Sequence, residues 1–379
     1  MDFTLSQKHR LLQKMYRDFA LKEVKPLAKD IDEDERFPIE TVAKMRNLKM
    51  MGICFPESFS GSGADTLAYI LAIEELSRVC ATTAVILSAH TSLCAAPIFA
   101  YGTPAQKQAY LPKLNTGEWL GAFGLTEPNA GTDAAGQQTI AIKEGTDYII
   151  NGSKIFITNA GYADIYIIFA MTDKTQGTRG ISAFIMEKDT PGFTIGKKEK
   201  KLGIRGSSTC ELIFNHVRIP QTNLLGTEGM GFKIAMGTLD GGRIGIAAQA
   251  LGIAQGAIDE ALAYVKQRKQ FGKPIAAFQN TQFVIADMQM KTEATRLLVY
   301  RAALAKDSGK PYSNEAAMAK LFASETAMEV TTKAVQLLGG YGYTREYPLE
   351  RMMRDAKITE IYEGTSEVQR MVIAGNLLR

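Results

Sequence analysis

The spacing of apolar and polar positions divides the chain into three stretches. Over residues 1 to about 120 apolar side chains recur at helical intervals: Leu12, Met15, Tyr16 and Phe19 fall on one face, as do Leu71, Leu76 and Val79. Helix starts are marked by Pro38 after Phe37, by Asp65 before TLAYILAIEEL and by Thr103-Pro104, because a proline in the first turn gives up no hydrogen bond that a helix would make. The run AVILSAHTSLCAAPIFA is apolar enough for a helix buried on most sides. From about 121 to 220 the period shortens. DYIING, KIFITNA, ADIYIIFAM, GISAFIM and CELIFNHVRI are short segments rich in Ile, Phe, Tyr and Thr, separated by glycine and polar turns. They predict antiparallel strands in a sandwich or barrel, and no helical stretch between them suggests a parallel βαβ sheet.

After about 230 three long alanine-rich helical patterns follow, each apolar on more than one face. Such helices pack as a bundle, and their surplus apolar surface predicts self-association. The expected organisation is α+β: an N-terminal α-helical domain (1–120), a middle antiparallel β domain (121–228) and a C-terminal four-helix-bundle domain (229–379).

Composition changes this picture little. With 46% hydrophobic and 22% charged residues the chain reads as globular, and a net charge of +4 with both signs interspersed gives no reason to expect nucleic-acid binding. Cys54, Cys80, Cys94 and Cys210 form no CxxC and read as reduced thiols, and three histidines make a histidine metal site improbable. Charges interrupt the apolar stretches of the first twenty residues, so neither a signal peptide nor a membrane span is expected there, and a cytoplasmic location is the default.

Candidate chemistry lies in three segments. No GxGxxG joins a strand to a helix and no Walker loop is present, which argues against a Rossmann dinucleotide site. FGLTEPNAGTD (123–133) can grip a ligand through Thr126, Thr132 and successive backbone N–H groups, or can be a plain surface turn. KIFITNAG (154–161) puts Phe156 and Thr158 on one face of a strand with Ile157 opposite, which suits a flat ring with a polar edge but also an ordinary edge strand. In RMMRDAKITEIYEGTSEVQRMVIAG (351–375) the Ser366–Gln369 stretch reads as a capping box that starts a helix near 367. Glu363-Gly364 then lies in the loop before that helix, either reaching a substrate or simply solvated.

Taken together, FGLTEPNAGTD, KIFITNAG, LDGGRIGIAAQALGIAQGA, RKQFGKPIAAFQ and QLLGGYGYTREYPLERMMRDAKITEIYEGTSE resemble the acyl-CoA dehydrogenase family in order and spacing over essentially the whole chain. Within it the chain looks most like the short-chain, butyryl-type members of anaerobic bacteria. The resemblance implies FAD, a helix–sheet–helix subunit, a homotetramer and electron-transferring flavoprotein as redox partner. It implies flavin contacts from Phe123, Leu125, Thr126, Thr132, Phe156, Ile157 and Thr158. Arg268, Phe271, Gln279, Gln336 and Gly340 would reach the FAD of a neighbouring subunit, and Thr365 and Glu367 would complete the site. Thr132, Asp240, Arg243, Tyr362 and Gly364 are implied on the acyl-CoA side. Most members draw their base from the glutamate of YEGT; the isovaleryl and long-chain members place it just before the arginine of the segment matching DGGR. Gly242 stands there in this chain, so Glu363 is the expected base, taking the α-proton while the β-hydride goes to flavin N5.

At Glu363 a nearby helix N-terminus favours the charged carboxylate by roughly 0.3–1 kcal/mol. Desolvation opposes it and is expected to win once substrate is bound. Between Arg78 and Lys107 there is no lysine or arginine to pair with a dicarboxylic acyl chain, which disfavours glutaryl and leaves butyryl as the expected substrate. The same site run in reverse, as an enoyl-CoA reductase in an electron-bifurcating complex, and a non-catalytic scaffold relative are the competing readings.

Overall fold

A computed structural model describes residues 4–378. The N-terminal part is helical: α1 (Gln7–Phe19), α2 (Ala28–Glu33), α3 (Ile39–Asn47), α4 (Thr66–Ser77), α5 (Ala81–Tyr101) and α6 (Pro104–Thr116). The local signals work as expected. Asp65 caps α4 by accepting from the Ala68 N–H at 2.8 Å, and Thr103 and Gln106 form a reciprocal capping box on α6. Helical spacing was a poorer guide to burial. On α1 only Tyr16 and Phe19 are buried while Met15 is exposed, and every residue of α4 is buried. Helix α5 carries a π-helical stretch, Ala89–Ala95, and although it is long and apolar enough to cross a membrane, most of its residues are buried inside the fold. All four cysteines are unpaired.

Eight strands follow in one connected sheet, β1 (Gly121–Gly124), β2 (Ile140–Glu144), β3 (Asp147–Thr158), β4 (Ile165–Met171), β5 (Ile181–Glu187), β6 (Phe193–Lys198), β7 (Thr209–Pro220) and β8 (Leu224–Leu225). Their path is β6-β7-β3-β2-β4-β5-β8, mostly antiparallel. The expectation of purely antiparallel pairing fails at β4, which takes β1 as a parallel neighbour with Gly121 opposite Ile165 and touches the end of β2 in parallel. Strand β4 is buried along its whole length because both faces are covered. Ile165, Ile167, Phe169 and Met171 pack towards the helices, while Tyr166, Ile168 and Ala170 pack towards β6 and β7 across the sheet interior. β1 and the end of β3 therefore sit directly under the helices.

The remaining helices are α7 (Gly231–Gln267), α8 (Gln279–Asp307), α9 (Ser313–Leu338), α10 (Leu349–Ile358) and α11 (Ser366–Leu377). Helix α7 is the axis of the fold: every residue from Gly241 to Ile258 is buried, and it packs on α4, α8 and α9. Its approach to α4 is so close that a Cβ at Gly252 would lie 2.3 Å from the Glu74 carbonyl oxygen, and one at Gly256 would lie 2.1 Å from that of Arg78. On α8, by contrast, Phe283, Met290, Leu297 and Leu304 form an exposed stripe with seven-residue spacing.

Gly256→Ala gains about 1 kcal/mol of helix propensity but forces a methyl group into a backbone carbonyl, and overpacking costs on the order of 1–3 kcal/mol. The expected result is a net loss of stability, seen as a lower urea midpoint at unchanged slope.

Candidate active site

The turn between α10 and α11 faces α7 and the strand ends beneath it, and a cavity of about 180 Å³ opens there. Its apolar walls come from Val85, Ala89 and Leu93 of α5, from Met236 and Leu239 of α7, and from Phe123 and Leu125. Thr126, Thr132, Phe156, Ile157, Thr158, Arg243, Tyr362, Glu363 and Gly364 also line it, so most of the residues singled out in the sequence meet in one place. Among the described residues the hydroxyls of Thr126, Thr132 and Thr158 have no hydrogen-bond partner. Apolar walls with free hydroxyls at their margins suit a ring system that is flat on its faces and polar at its edges.

Glu363 and Gly364 both adopt left-handed backbone conformations, with φ of 54° and 91°. A glutamate there is strained by on the order of 1–3 kcal/mol, so the surroundings must hold it. They do so through the carbonyls. Lys320 Nζ donates to the Gly364 oxygen at 2.7 Å and Gln369 Nε2 does so at 2.8 Å, while Gln369 Nε2 and Arg243 Nε each lie 3.4 Å from the Glu363 oxygen. The turn aims the carboxyl group at α7, where a Cβ at position 242 would lie 2.0 Å from Glu363 Oε2. Only glycine at 242 leaves room for this carboxylate.

Glu363 Oε2 is buried without a hydrogen-bond partner. Burial pushes the carboxyl up to about 8 against the opposing pull of Lys320 and then Arg243. Desolvation outweighs the opposing attraction, which comes from two side-chain cations. The cap of α11 also differs: Thr365, not Ser366, is the N-cap, accepting from the Val368 N–H at 3.4 Å. Tyr362 donates its hydroxyl to Gln249 Oε1, which ties the turn to α7.

The strand carrying Phe156 departs from simple alternation. Phe156 has φ of 62°, and the β3–β7 register shifts between Lys154 and Ile157. Phe156 is therefore 59% exposed and Ile157 is 2% exposed, yet both line the cavity. Beneath them lies an arrangement absent from the sequence reading. Lys154 Nζ, fully buried, donates to Glu127 Oε1 at 2.7 Å, Gln137 Oε1 at 3.0 Å and the Leu125 carbonyl at 3.1 Å. Glu127 in turn accepts from the N–H groups of Gln138 and Thr139 at 2.5 and 3.0 Å. This pair locks the 123–133 loop to β3. Lys154 shares strand parity with Phe156 and Thr158, so alternation alone gave no sign of its burial.

Other expected site residues lie elsewhere on this chain. Arg268, Gln336 and Gly340 line a separate open groove, and Gln279 is exposed at the start of α8. Phe271 is 93% exposed in the turn of a small hairpin, β9 (Lys269–Gln270) and β10 (Lys273–Pro274). Asp240 stands behind the cavity wall, accepting from Arg243 Nη1 at 2.6 Å and from the Ser313 hydroxyl at 3.0 Å. Glu367 is exposed in the first turn of α11.

A carboxyl group raised from 4.5 to about 8 costs the fold nothing while protonated; the cost grows as pH climbs past 4.5 and is complete above about 8. Glu363→Gln should therefore raise stability, little at pH 5 and by on the order of a few kcal/mol at pH 9, as read from urea unfolding of the flavin-free protein at both pH values.

Models of the acyl-CoA dehydrogenase N-terminal, middle and C-terminal domains match residues 6–118, 122–217 and 229–378. The short-chain specific acyl-CoA dehydrogenase of Clostridium acetobutylicum is 62% identical over 379 residues, covering all of both chains. The structure of butyryl-CoA dehydrogenase from Megasphaera elsdenii superposes with a TM-score of 0.99 at 57% identity over all of both chains. So does a structure solved in work on the electron transferring flavoprotein of Acidaminococcus fermentans and flavin-based electron bifurcation, also 57% identical, with a TM-score of 0.99 and full coverage of both chains. A glutaryl-CoA dehydrogenase from Mycobacterium smegmatis in complex with FADH2 matches at 33% identity and a TM-score of 0.93, over 98% of this chain and 95% of that one. The match of three successive domain models and of whole-length relatives leads to one conclusion: this chain belongs to the acyl-CoA dehydrogenase family.

Proposed function

We propose that the protein dehydrogenates short-chain acyl-CoA thioesters between Cα and Cβ, with butyryl-CoA as preferred substrate and Glu363 as the base. The observation that carries this is the enclosed, unpartnered Glu363 oxygen, held over Gly242 at the side of an apolar cavity. A base needs a pKa near working pH and no competing partner, and burial supplies both. Among the described residues the Glu363 N–H has no acceptor, so it is free to donate to a thioester oxygen and stabilise the charge that develops as the α-proton leaves.

FAD suits the cavity floor. Phe123, Leu125, Phe156 and Ile157 offer apolar contact to ring faces, and Thr126, Thr132 and Thr158 offer free hydroxyls to ring edges. Bound there, FAD supplies a two-electron acceptor for the hydride leaving the β-carbon. Thr365 and Glu367 border the same turn. Arg268, Phe271, Gln279, Gln336 and Gly340 we assign to the FAD of a second subunit, since they lie on open surface away from the Glu363 cavity. The apolar stripe on α8 supports a homotetramer, because exposed apolar stripes at that spacing favour helix–helix association.

The cavity walls support a short, uncharged acyl chain. Among the described residues Arg243 is the one cation lining the cavity, and its guanidinium is already engaged by Asp240. A second acyl carboxylate would go unpaired at a cost of several kcal/mol. Tyr362 and Gly364 also line the space, with Thr132 beside them, and we assign to them the limit on chain length. Electron-transferring flavoprotein is the proposed redox partner, supported by the likeness to the Acidaminococcus-related structure, which also supports operation as an enoyl-CoA reductase through the same site.

The purified protein is expected to be yellow and to bleach with butyryl-CoA, and far less with octanoyl- or glutaryl-CoA. Glu363→Gln should keep the flavin but lower kcat by at least about 10³-fold. Equal rates on octanoyl-CoA would remove the chain-length assignment, and a variant retaining most of its turnover would remove the base.

A further inference from the structure

Lys320 sits on α9 with no solvent exposure and, among the described residues, forms no ion pair. Its hydrogen bond goes to the Gly364 carbonyl at 2.7 Å, one residue from Glu363. A buried ammonium with a single neutral acceptor is costly, and such groups are kept where their charge is matched nearby. Glu360, in the same turn, is held by Lys357 at 2.6 Å. Glu367 on α11 is exposed to solvent. Arg243 on α7 is a cation and is neutralised by Asp240 at 2.6 Å. The remaining anion is Glu363, enclosed and unpartnered.

We infer that Lys320 is a positioning residue for this base: through the Gly364 carbonyl it holds the left-handed 363–364 turn, and its charge keeps the Glu363 carboxylate available near neutral pH. This rests on the assignment of Glu363 as the base. Burial pulls Lys320 itself down to about 8, the same region as Glu363, and Lys320 draws the Glu363 carboxyl down more strongly than Arg243 does. Arg243 draws on Glu363 less, since its guanidinium also serves Asp240.

The test uses the flavin-loaded enzyme and the pH dependence of kcat and kcat/KM on butyryl-CoA for wild type, Lys320→Met, Lys320→Gln and Lys320→Arg. Loss of a neighbouring cation raises a carboxylate's pKa, so both neutral variants should move the acid limb to higher pH by about one unit or more. Lys320→Arg should return the limb close to the wild-type position. Lys320→Gln keeps a donor for the Gly364 carbonyl without the charge, so it carries the test if Lys320→Met fails to assemble. A merely structural role would lower rates at every pH and leave the limb in place, and that result would overturn the inference. A wild-type enzyme inactive on all acyl-CoA substrates would instead overturn the functional assignment, leaving the two failures distinguishable.

Discussion

A carboxyl group pressed against a helix backbone sets the terms for the rest of this molecule. The Glu363 carboxyl can occupy its place only because α7 has no side chain at Gly242, and it is brought there only because the 363–364 turn takes two left-handed residues in succession. Neither feature is stable alone. The strained turn is held by donors on three helices: Arg243 on α7, Lys320 on α9 and Gln369 on α11. The floor under the cavity depends on a second buried arrangement, in which Lys154 and Glu127 fasten the loop after β1 to the distorted end of β3. Two buried lysines thus frame the cavity, one behind each wall.

This arrangement costs stability. An enclosed, unpaired carboxyl and a glutamate at positive φ each weaken the fold, and burying lysines adds desolvation. The compensation is the apolar packing of α7, buried without interruption from Gly241 to Ile258 against helices on several sides. A long central helix with glycines where it meets α4 gives a rigid surface against which the proposed base is placed, and the proposed proton abstraction from a weak carbon acid requires rigid placement.

Much of this was legible in the sequence where the determining chemistry is local. Asp65 and Thr103 announce helix starts because a cap needs only its own side chain and the next few N–H groups. The change from helical to strand periodicity near 121 and back near 231 marks where the elements change. The parallel β1–β4 pair was not legible, because an apolar strand such as β4 looks the same whichever way its neighbour runs. Nor was the burial of Lys154 and Lys320: a lysine within a strand or helix pattern reads as solvated, and only the fold reveals the carbonyls and carboxylates waiting for it. Phe156 and Glu363 at positive φ violate the preference of their residue types, so propensity pointed elsewhere. The contact between Glu363 and Gly242 joins residues far apart along the chain, and family resemblance, not spacing, drew attention to both.

The most direct test moves the carboxylate without moving its position in space. In a Glu363→Gly background, Gly242→Glu would place a carboxylate from α7 into the volume that Glu363 vacates. Turnover of butyryl-CoA should be lost in the single variant and partly restored in the double one, with flavin content unchanged in both. A single variant as fast as wild type, or a flavin-loaded double variant no faster than the single, would show that a carboxylate at this point is not what removes the proton.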